Sequence, residues 1–525
     1  MDKYKIILFL CNWGPHAAFQ ALQDNRDAIP SEIHMVRIPC TGRISKSLLL
    51  KAFEKGADGV ILMGCRHGSC HYGTGTETAE KNTEDTRKII ETLGIGKERL
   101  KFVTFHPDES DLLLEFLNSF TKEIASYSHT HVTRSKDPEP WVEKSIEEIV
   151  SKHDVFACQD CGKCTSACPL ALTGKPFSPR AVAAAVISGE VNDESVKNDI
   201  WSCLTCGICY DRCPSAVNFP EFIRDVRCYY KNREITGQET HGGFFQSLMR
   251  TMTSSDLKPT PWSWLPEEIK TDSNSKVLFF GGCAPYFDIF FREFLGVKTC
   301  NILADSLRLL NFFDIQPAIL EEERCCGHDL LWSGDRENFT RLGKINADRI
   351  HQMGIEEVIT SCPECYRTLA YDYPEHGIEL NFKVTHLYEL LENEINKGAV
   401  QFKKINKKLT IQDSCRLNRF ENIYDQSRKL INRINPESFT EMQNNGKTSI
   451  CCGNSAWIGC DSFSKALQVK RLNQAHDTGS DVLVTSCPKC QIHLKCAMED
   501  PFRENELKIE TMDLTSIIAK TLRWE

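Results

Sequence analysis

The sequence predicts a multidomain α/β protein: a small parallel-sheet domain, a helical cysteine-rich domain and a duplicated α/β domain. Three observations lead there. Short apolar runs alternate with helix-period stretches near both ends of the chain. Between them stand two Cys-x2-Cys-x2-Cys-x3-Cys-Pro runs. Further on, ten cysteines form two sets of five at nearly the same spacing, an internal duplication.

Composition narrows the class. The 525 residues, 41% hydrophobic and 26% charged, are ordinary for a globular chain. The net charge of −9, without a basic block, argues against nucleic acid as a partner. The first apolar stretch is too short for a signal peptide, and no apolar run reaches the ~18 residues of a membrane span. A cytoplasmic protein without a membrane span is expected. Its 26 cysteines then point to metal rather than disulfides.

In residues 1–130, apolar runs at 4–10, 33–38, 59–63 and 101–105 read as strands, with helices at 45–55 and 79–93. Cys11, Cys40 and Cys65 follow the first three runs, and Cys70 comes five residues later. The carboxyl ends of parallel strands share one edge, so these four thiols gather there and suit a 2Fe–2S cluster or a zinc ion. His67, His71 and His106 lie near that edge.

Residues 126–140 read as a polar linker. Within 131–275, Cys158, Cys161, Cys164 and Cys168 form the first cysteine run, and Cys203, Cys206, Cys209 and Cys213 the second. Three thiols within seven residues wrap one corner of a 4Fe–4S cube, and the cysteine before proline serves the other cube. One cube is assigned Cys158, Cys161, Cys164 and Cys213; the other takes Cys203, Cys206, Cys209 and Cys168. An Ala-rich helix is expected at 179–188. Residues 231–275, rich in Thr, Ser, Pro and Gly, read as a second linker with a short helix at 244–252 and with Trp262 and Trp264 near prolines.

The third domain spans 276–525. Its first set is Cys283, Cys325, Cys326, Cys362 and Cys365; its second is Cys415, Cys451, Cys452, Cys487 and Cys490. Strands expected at 277–280, 358–360, 409–411 and 482–485 each lead into one of these cysteines. Five thiols exceed what one zinc or one cube needs, which suggests an unusual cluster able to do chemistry. Cys228, Cys300, Cys460 and Cys496 fall outside every set and are expected to be buried small hydrophobes.

These motifs carry a resemblance. The repeated Cys…CysCysGly…Cys-x2-Cys pattern of 276–492 resembles the B component of heterodisulfide reductase (CCG domains), and the double run of 141–230 resembles the C component of the same enzyme. Residues 1–125 are similar to the delta subunit of methyl-viologen-reducing hydrogenase, through Cys11-Asn12-Trp13, Cys40-Thr41-Gly42-Arg43 and Gly64-Cys65-Arg66-His67-Gly68-Ser69-Cys70-His71-Tyr72. The resemblance implies a flavodoxin-like first domain and a ferredoxin-type second. It implies one 2Fe–2S, two cubic 4Fe–4S and two non-cubane 4Fe–4S clusters, the last two cleaving a disulfide between them across a pseudo-twofold cleft. In this family a flavoprotein, the A component, carries FAD and splits electron pairs, and a hydrogenase or dehydrogenase donates the electrons. No GxGxxG follows a strand here, so FAD is expected on that partner.

Two positions depart from the family pattern. Gly14 stands where the delta subunit has a further cysteine, and Gln412-Asp413-Ser414-Cys415-Arg416 replaces His-Asp-Pro-Cys. The leading reading is the electron-input, relay and disulfide-reducing modules of an electron-bifurcating oxidoreductase on one chain. His328 and His386 are candidate proton donors to the product thiolates. The competing readings are a pure electron carrier serving a quinone or protein acceptor, and a zinc-stabilised scaffold.

Overall fold

The computed structural model describes residues 3–130, 132, 144–189, 194–398, 400–502 and 505–524. The chain forms two compact units, residues 1–138 with 241–263 and residues 139–240 with 264–525.

The first unit is built on four parallel strands, β1 (Ile6–Cys11), β2 (Ile33–Ile38), β3 (Gly59–Gly64) and β4 (Leu100–Thr104), in the order β2-β1-β3-β4. The central β3, Gly-Val-Ile-Leu-Met-Gly, is buried throughout, as a strand covered on both faces must be. Edge strand β2 exposes most of its residues. Helices Gly14–Asp24 and Ser110–Ser126 bury Phe19, Leu22, Leu113, Leu117 and Phe120 against Ile6, Leu8 and Leu10. Helix Lys46–Glu54 packs against helix Gly75–Thr92 and starts at Ser45, whose hydroxyl accepts from the Leu48 amide at 3.3 Å.

Residues 241–263 depart from the linker expected of them. Helix Phe244–Thr251 packs on helix Lys46–Glu54, Arg250 pairs with Glu54 at 3.0 Å, and the Thr260 amide donates to Thr92 at 2.7 Å. Composition showed the breakers but not the buried Glu54, about two hundred residues earlier, that anchors the segment. Trp262 is buried and Trp264 half-buried. The linker expected at 126–140 falls partly on residues 133–140, outside the described ones. Its start is tied down, with Thr130 donating from its amide to Asp58 at 2.8 Å.

The second unit holds two parallel sheets. The first has β5 (Val277–Phe279), β6 (Glu357–Thr360) and β7 (Lys383–His386), in that order. The other has β8 (Ile405–Gln412), β9 (Pro436–Phe439), β10 (Val482–Thr485) and β11 (Glu510–Asp513), ordered β11-β10-β8-β9. Ala318 pairs with Leu278 as an isolated bridge on the open side of β5. It stands where β9 stands beside β8, so both halves share one strand order, as the duplicated spacing predicts. The described residues of 144–231 form short helices joined by loops that carry most of the cysteines, and include helix Pro179–Ile187 where the Ala-rich segment was read. No described helix is long and apolar enough to cross a membrane.

The four cysteines outside the sets divide. Cys228 and Cys300 are buried, as expected. Cys460 is exposed and Cys496 half-buried, against expectation, because one ends a surface loop and the other lies on the outer side of its helix.

Buried arginines join the helical segment to the duplicated domain. Arg227 donates to the carbonyls of Ile200 (3.0 Å), Cys203 (2.6 Å) and Trp332 (2.8 Å). Arg227→Ala should lower unfolding stability by about 3–5 kcal/mol, since each orphaned buried carbonyl costs roughly 1–3 kcal/mol. Denaturant titration of the anaerobic protein measures this; a loss under about 0.5 kcal/mol, the size of an ordinary surface change, would contradict the role given to Arg227.

Candidate metal centres

The first centre gathers at the carboxyl ends of three strands. Cys11 ends β1, while Cys40 and Cys65 lie just past β2 and β3. The Cys11 and Cys65 sulfurs are 3.7 Å apart, those of Cys40 and Cys70 4.0 Å. Gly75, at the start of its helix, closes the site. A Cβ there would stand 2.5 Å from the Cys40 sulfur and 2.8 Å from that of Cys70. Burial lifts Cys11 to about 11 and raises Cys40. Cys70 is lowered, because the amides of Tyr72 and Gly75 outweigh its desolvation. The donor set therefore fits a 2Fe–2S cluster or zinc. A side chain at Gly14 would face this group, since its Cβ would be 3.7 Å from the Cys65 sulfur.

The nearby histidines turn elsewhere. His67 stands between Glu77 and Glu80, at 3.7 and 3.5 Å. His71 stacks on Trp13 at 3.7 Å, and the His106 amide donates to Glu109.

In the helical segment, Cys168 sits among Cys203, Cys206 and Cys209, whose charges raise one another's pKa. Burial is the main cause, lifting Cys168 to about 12 and Cys203 to about 11. Helix Lys163–Ala167, bearing Cys164, packs against helix Ile208–Asp211, bearing Cys209. Cys158 and Cys161 are exposed, and Cys164 and Cys213 half-buried. Loop 203–206 is held by three arginines. Arg227 takes the Cys203 carbonyl, Arg416 that of Thr205 at 2.6 Å, and Arg419 that of Cys206 at 2.6 Å.

The two sets of five also converge. In the first, the Cys283 and Cys325 sulfurs come into direct contact with Cα atoms 5.1 Å apart, while Cys365 hydrogen-bonds with Cys326 and Cys362. Ligation would take Cys283 and Cys325 as thiolates. A Cβ on Gly282 would come within 2.8 Å of the Cys365 sulfur. In the second set, thiol contacts link Cys415 to Cys451, Cys451 to Cys452, Cys452 to Cys490 and Cys490 to Cys487. Hydrogen bonds from Cys451 and Cys490 bring Cys452 down to about 6. Cys415 and Cys451 feel the charge of Cys206, so the second set borders the second cysteine run. Cys487 feels Cys362 and Glu364, so the two sets border each other.

A cavity of about 30 Å³ lined by the first set also meets His328, Asp329, Glu364 and, from the other half, Pro488. Lys489 reaches across from the second half to Glu364 at 2.7 Å and to Asp329. Its ammonium supplies the cation for a His328, Asp329 and Glu364 cluster that could otherwise take a metal. Arg416 donates to His328 Nε2 at 3.0 Å, which leaves the ring proton on Nδ1, 2.9 Å from Asp329.

His386 corrects an expectation. It ends β7, its Nδ1 accepts the Tyr388 amide as a helix cap, and burial takes its pKa to about 3, so the ring is neutral and no imidazolium acid at neutral pH. Sequence reading missed His493, whose Nδ1 lies 3.3 Å from the Cys452 sulfur. Its place three residues after Cys490 on helix Pro488–Met498 was the available signal. It also passed over Glu364 and Lys489, the variable residues of the two Cys-Pro-x-Cys turns. Gln412, in place of the family histidine, accepts from buried Arg471 and donates to the Ile450 carbonyl next to Cys451. A second cleft, of about 150 Å³, holds Lys298, Lys495 and Lys520 and shares Ile302 with the first cavity.

Fold and thiol sets define a multidomain iron–sulfur electron-transfer protein. Residues 6–127 match the family of the methyl-viologen-reducing hydrogenase, delta subunit, residues 154–217 the 4Fe-4S dicluster domain, and residues 277–370 and 409–495 the cysteine-rich (CCG) domain. The module resemblances read from the motifs are thereby shown. Among curated relatives, the D component of the dihydromethanophenazine:CoB–CoM heterodisulfide reductase of Methanosarcina acetivorans is 28% identical over 268 residues. That match covers 50% of this chain and 62% of the relative, so the chain spans under two thirds of its length. The B component of the fumarate reductase (CoM/CoB) of Methanothermobacter marburgensis is 27% identical over 235 residues, 44% of each chain. The EtfAB:quinone oxidoreductase of Syntrophomonas wolfei is 24% identical over 479 residues, 78% of this chain and 64% of the relative.

The first centre is testable by itself. Gly75→Ala should drive the Cys40 and Cys70 sulfurs apart, and Cys65→Ser should remove a donor. Either variant should lose the metal of residues 1–130, read by its spectroscopic signal, while the signals of the helical segment persist. An unchanged spectrum in both would leave these four cysteines without a metal role.

Proposed function

We propose that this chain is the iron–sulfur subunit of a heterodisulfide-reductase-like, electron-bifurcating complex, an oxidoreductase that reduces a disulfide. The observation that carries the reading is the abutment of two complete five-thiol sets at Cys362 and Cys487, beside the Cys203 run. In this reading the first domain is flavodoxin-like and the second ferredoxin-type. Cys11, Cys40, Cys65 and Cys70 hold 2Fe–2S, the eight cysteines of the two runs hold two cubes, and the ten of the duplicated domain hold two non-cubane clusters. Bound clusters would supply one-electron transfer throughout and, at the five-thiol sets, iron able to accept a substrate sulfur.

The chain's own residues shape the rest. Lys489 and Glu364 lock the two halves together beside both sets. Asp329 fixes the His328 ring, and Arg416 ties that ring to the Thr205 loop. His493 contacts the Cys452 sulfur and orients it. The three lysines of the second cleft favour a disulfide bearing an anionic group. FAD belongs on a partner flavoprotein resembling the A component of heterodisulfide reductase, supplied by a hydrogenase or dehydrogenase.

The carrier reading draws on the quinone oxidoreductase relative, which aligns with 78% of this chain. Mutation separates the two readings. Cys326→Ala or Cys452→Ala should each abolish disulfide reduction while electrons still reach the helical segment's cubes. Full turnover with either half inactivated would leave the carrier.

Anaerobic purification from the native source should yield about 18 iron atoms per chain, from the cluster types the thiol sets accept, with a flavoprotein bound. Stoichiometric zinc with only about eight irons would confine iron–sulfur chemistry to the two cubes. A flavin-free single polypeptide that still carries electrons from donor to acceptor would dismiss the complex.

A further inference from the structure

The second cleft, of about 150 Å³, lies where the two halves of the duplicated domain meet, and three elements line it. Lys298 stands just before helix Thr299–Phe312 of the first half. Helix Pro488–Met498 of the second half brings Gln491 and Lys495. β11 and helix Leu514–Thr521 bring Thr511 and Lys520. No cysteine is among the lining residues, so what the cleft holds is bound there and not reduced there.

The lining is made of donors without acceptors. Lys298 and Lys520 are exposed at the cleft, and among the described residues neither makes an ion pair. Lys495 is half-buried and donates only to backbone, to the carbonyls of Leu295 at 3.3 Å and Gly296 at 3.4 Å. Burial lowers its pKa, a cost that an anion beside it would relieve. Gln491 is 7% exposed, and its side-chain amide makes no hydrogen bond with any described residue. The Thr511 hydroxyl is buried without a partner as well. Polar groups so enclosed are ordinarily satisfied, and two left open in one cleft mark the place of a ligand.

The other charges near the cleft are already engaged. Asp513 is the one acid of the lining, and its carboxylate caps a helix by accepting the Thr515 amide at 2.9 Å. The start of helix Thr299–Phe312 is taken by Asp288, which accepts the Cys300 amide at 2.9 Å. The site therefore rests on side chains and not on a helix end.

We propose that this cleft is a binding site for a phosphate group, free or as a phosphomonoester, held by Lys298, Lys495 and Lys520 with the Gln491 amide donating to it. Three ammonium groups from three elements call for more than one negative charge and more than two acceptor oxygens. A phosphate monoester brings close to two charges and three strong acceptor oxygens, where a carboxylate brings one charge and two oxygens. Lysine meets phosphate as a point charge, so the three need no shared plane. The inference stands on the lining alone and holds whether the chain reduces a disulfide or only carries electrons.

A bound phosphate would join the halves, because Lys298 comes from the first and the other three side chains from the second. It would also reach the first five-thiol set, since Ile302, on the helix that Lys298 precedes, lines both this cleft and the cavity of that set.

The test is calorimetric titration of the full-length protein, anaerobic and with its metal, in a buffer free of oxyanions. The probes are inorganic phosphate, glycerol 2-phosphate and acetate. Saturable binding of a phosphate is expected, with acetate at least about tenfold weaker, as one lost charge-assisted bond would make it. Tighter binding of inorganic phosphate would assign the free anion, and tighter binding of glycerol 2-phosphate the phosphomonoester. Lys298→Gln, Lys520→Gln and Gln491→Met should each weaken the phosphate by about tenfold. These side chains hold no other described residue by hydrogen bond or ion pair, so the variants should fold, which unchanged iron content and circular dichroism check. Lys404→Gln, at an exposed position outside the cleft, should change nothing. The proposal is overturned if neither phosphate saturates, if acetate binds as tightly, if the three cleft variants bind as the native protein does, or if Lys404→Gln weakens binding as much as they do.

Discussion

The architecture of the larger unit depends on how one four-residue loop is held. Residues 203–206 carry two of the second run's cysteines, and the carbonyls of Cys203, Thr205 and Cys206 each accept from a different arginine, Arg227, Arg416 and Arg419. Thr205 adopts a left-handed backbone with φ of 46°, a conformation a β-branched residue keeps only under constraint. Arg416 supplies that constraint twice, binding the Thr205 hydroxyl as well as its carbonyl. Because Arg416 and Arg419 closely follow Cys415 in sequence, the grip on this loop also fixes where the second five-thiol set begins. The same three positive charges sit where bound clusters would bring negative charge, so one set of side chains serves both packing and electrostatics.

Duplication gave the two halves one strand order and one thiol spacing, and the side chains between the thiols then diverged. The turn residue of Cys-Pro-x-Cys is Glu364 in one half and Lys489 in the other, and the two form an ion pair. After CysCysGly the first half has His328-Asp329, turned toward Lys489, and the second has Asn454-Ser455, with Ser455 bonding to Thr205 at 3.0 Å. At the helix caps that end β7 and β11, burial keeps His386 neutral and lifts Asp513 to about 7. Equal backbones thus carry unequal chemistry. At the CysCysGly turns one half is directed at its twin through Lys489, and the other at the Thr205 loop.

What the sequence made legible follows from range. Strand ends, cysteine runs and the doubled spacing are local patterns, and β1, β3, β6 and β10 lie within a residue or two of where alternation and apolar runs put them. The 179–188 and 244–252 helices were readable for the same reason. The packing of residues 241–263 on Glu54 was not, because a Thr-, Ser- and Pro-rich stretch looks the same whether it is solvated or docked on a distant carboxylate. The proton-donor reading of His386 failed because burial, invisible in one dimension, decides whether an imidazole carries charge. Cys460 and Cys496 were misjudged for the mirror reason: free cysteine usually packs inside, and only the fold shows Cys460 exposed and Cys496 half-buried.

Burial also explains why the thiol sets belong with metal. With Cys11 near 11, Cys203 near 11 and Cys168 near 12, the sulfurs that converge are held as neutral thiols at physiological pH. Their negative charge is tolerated only when a cation arrives, so ligation must release protons and becomes less favourable as pH falls. Cys70 is lowered by neighbouring amides, and Cys452 falls to near 6 because hydrogen bonds from Cys451 and Cys490 favour its thiolate. It also touches His493, whose ring burial keeps neutral. Cys452 would be the readiest donor of the second set, and the other four thiols would have to give up their protons to hold a cluster there.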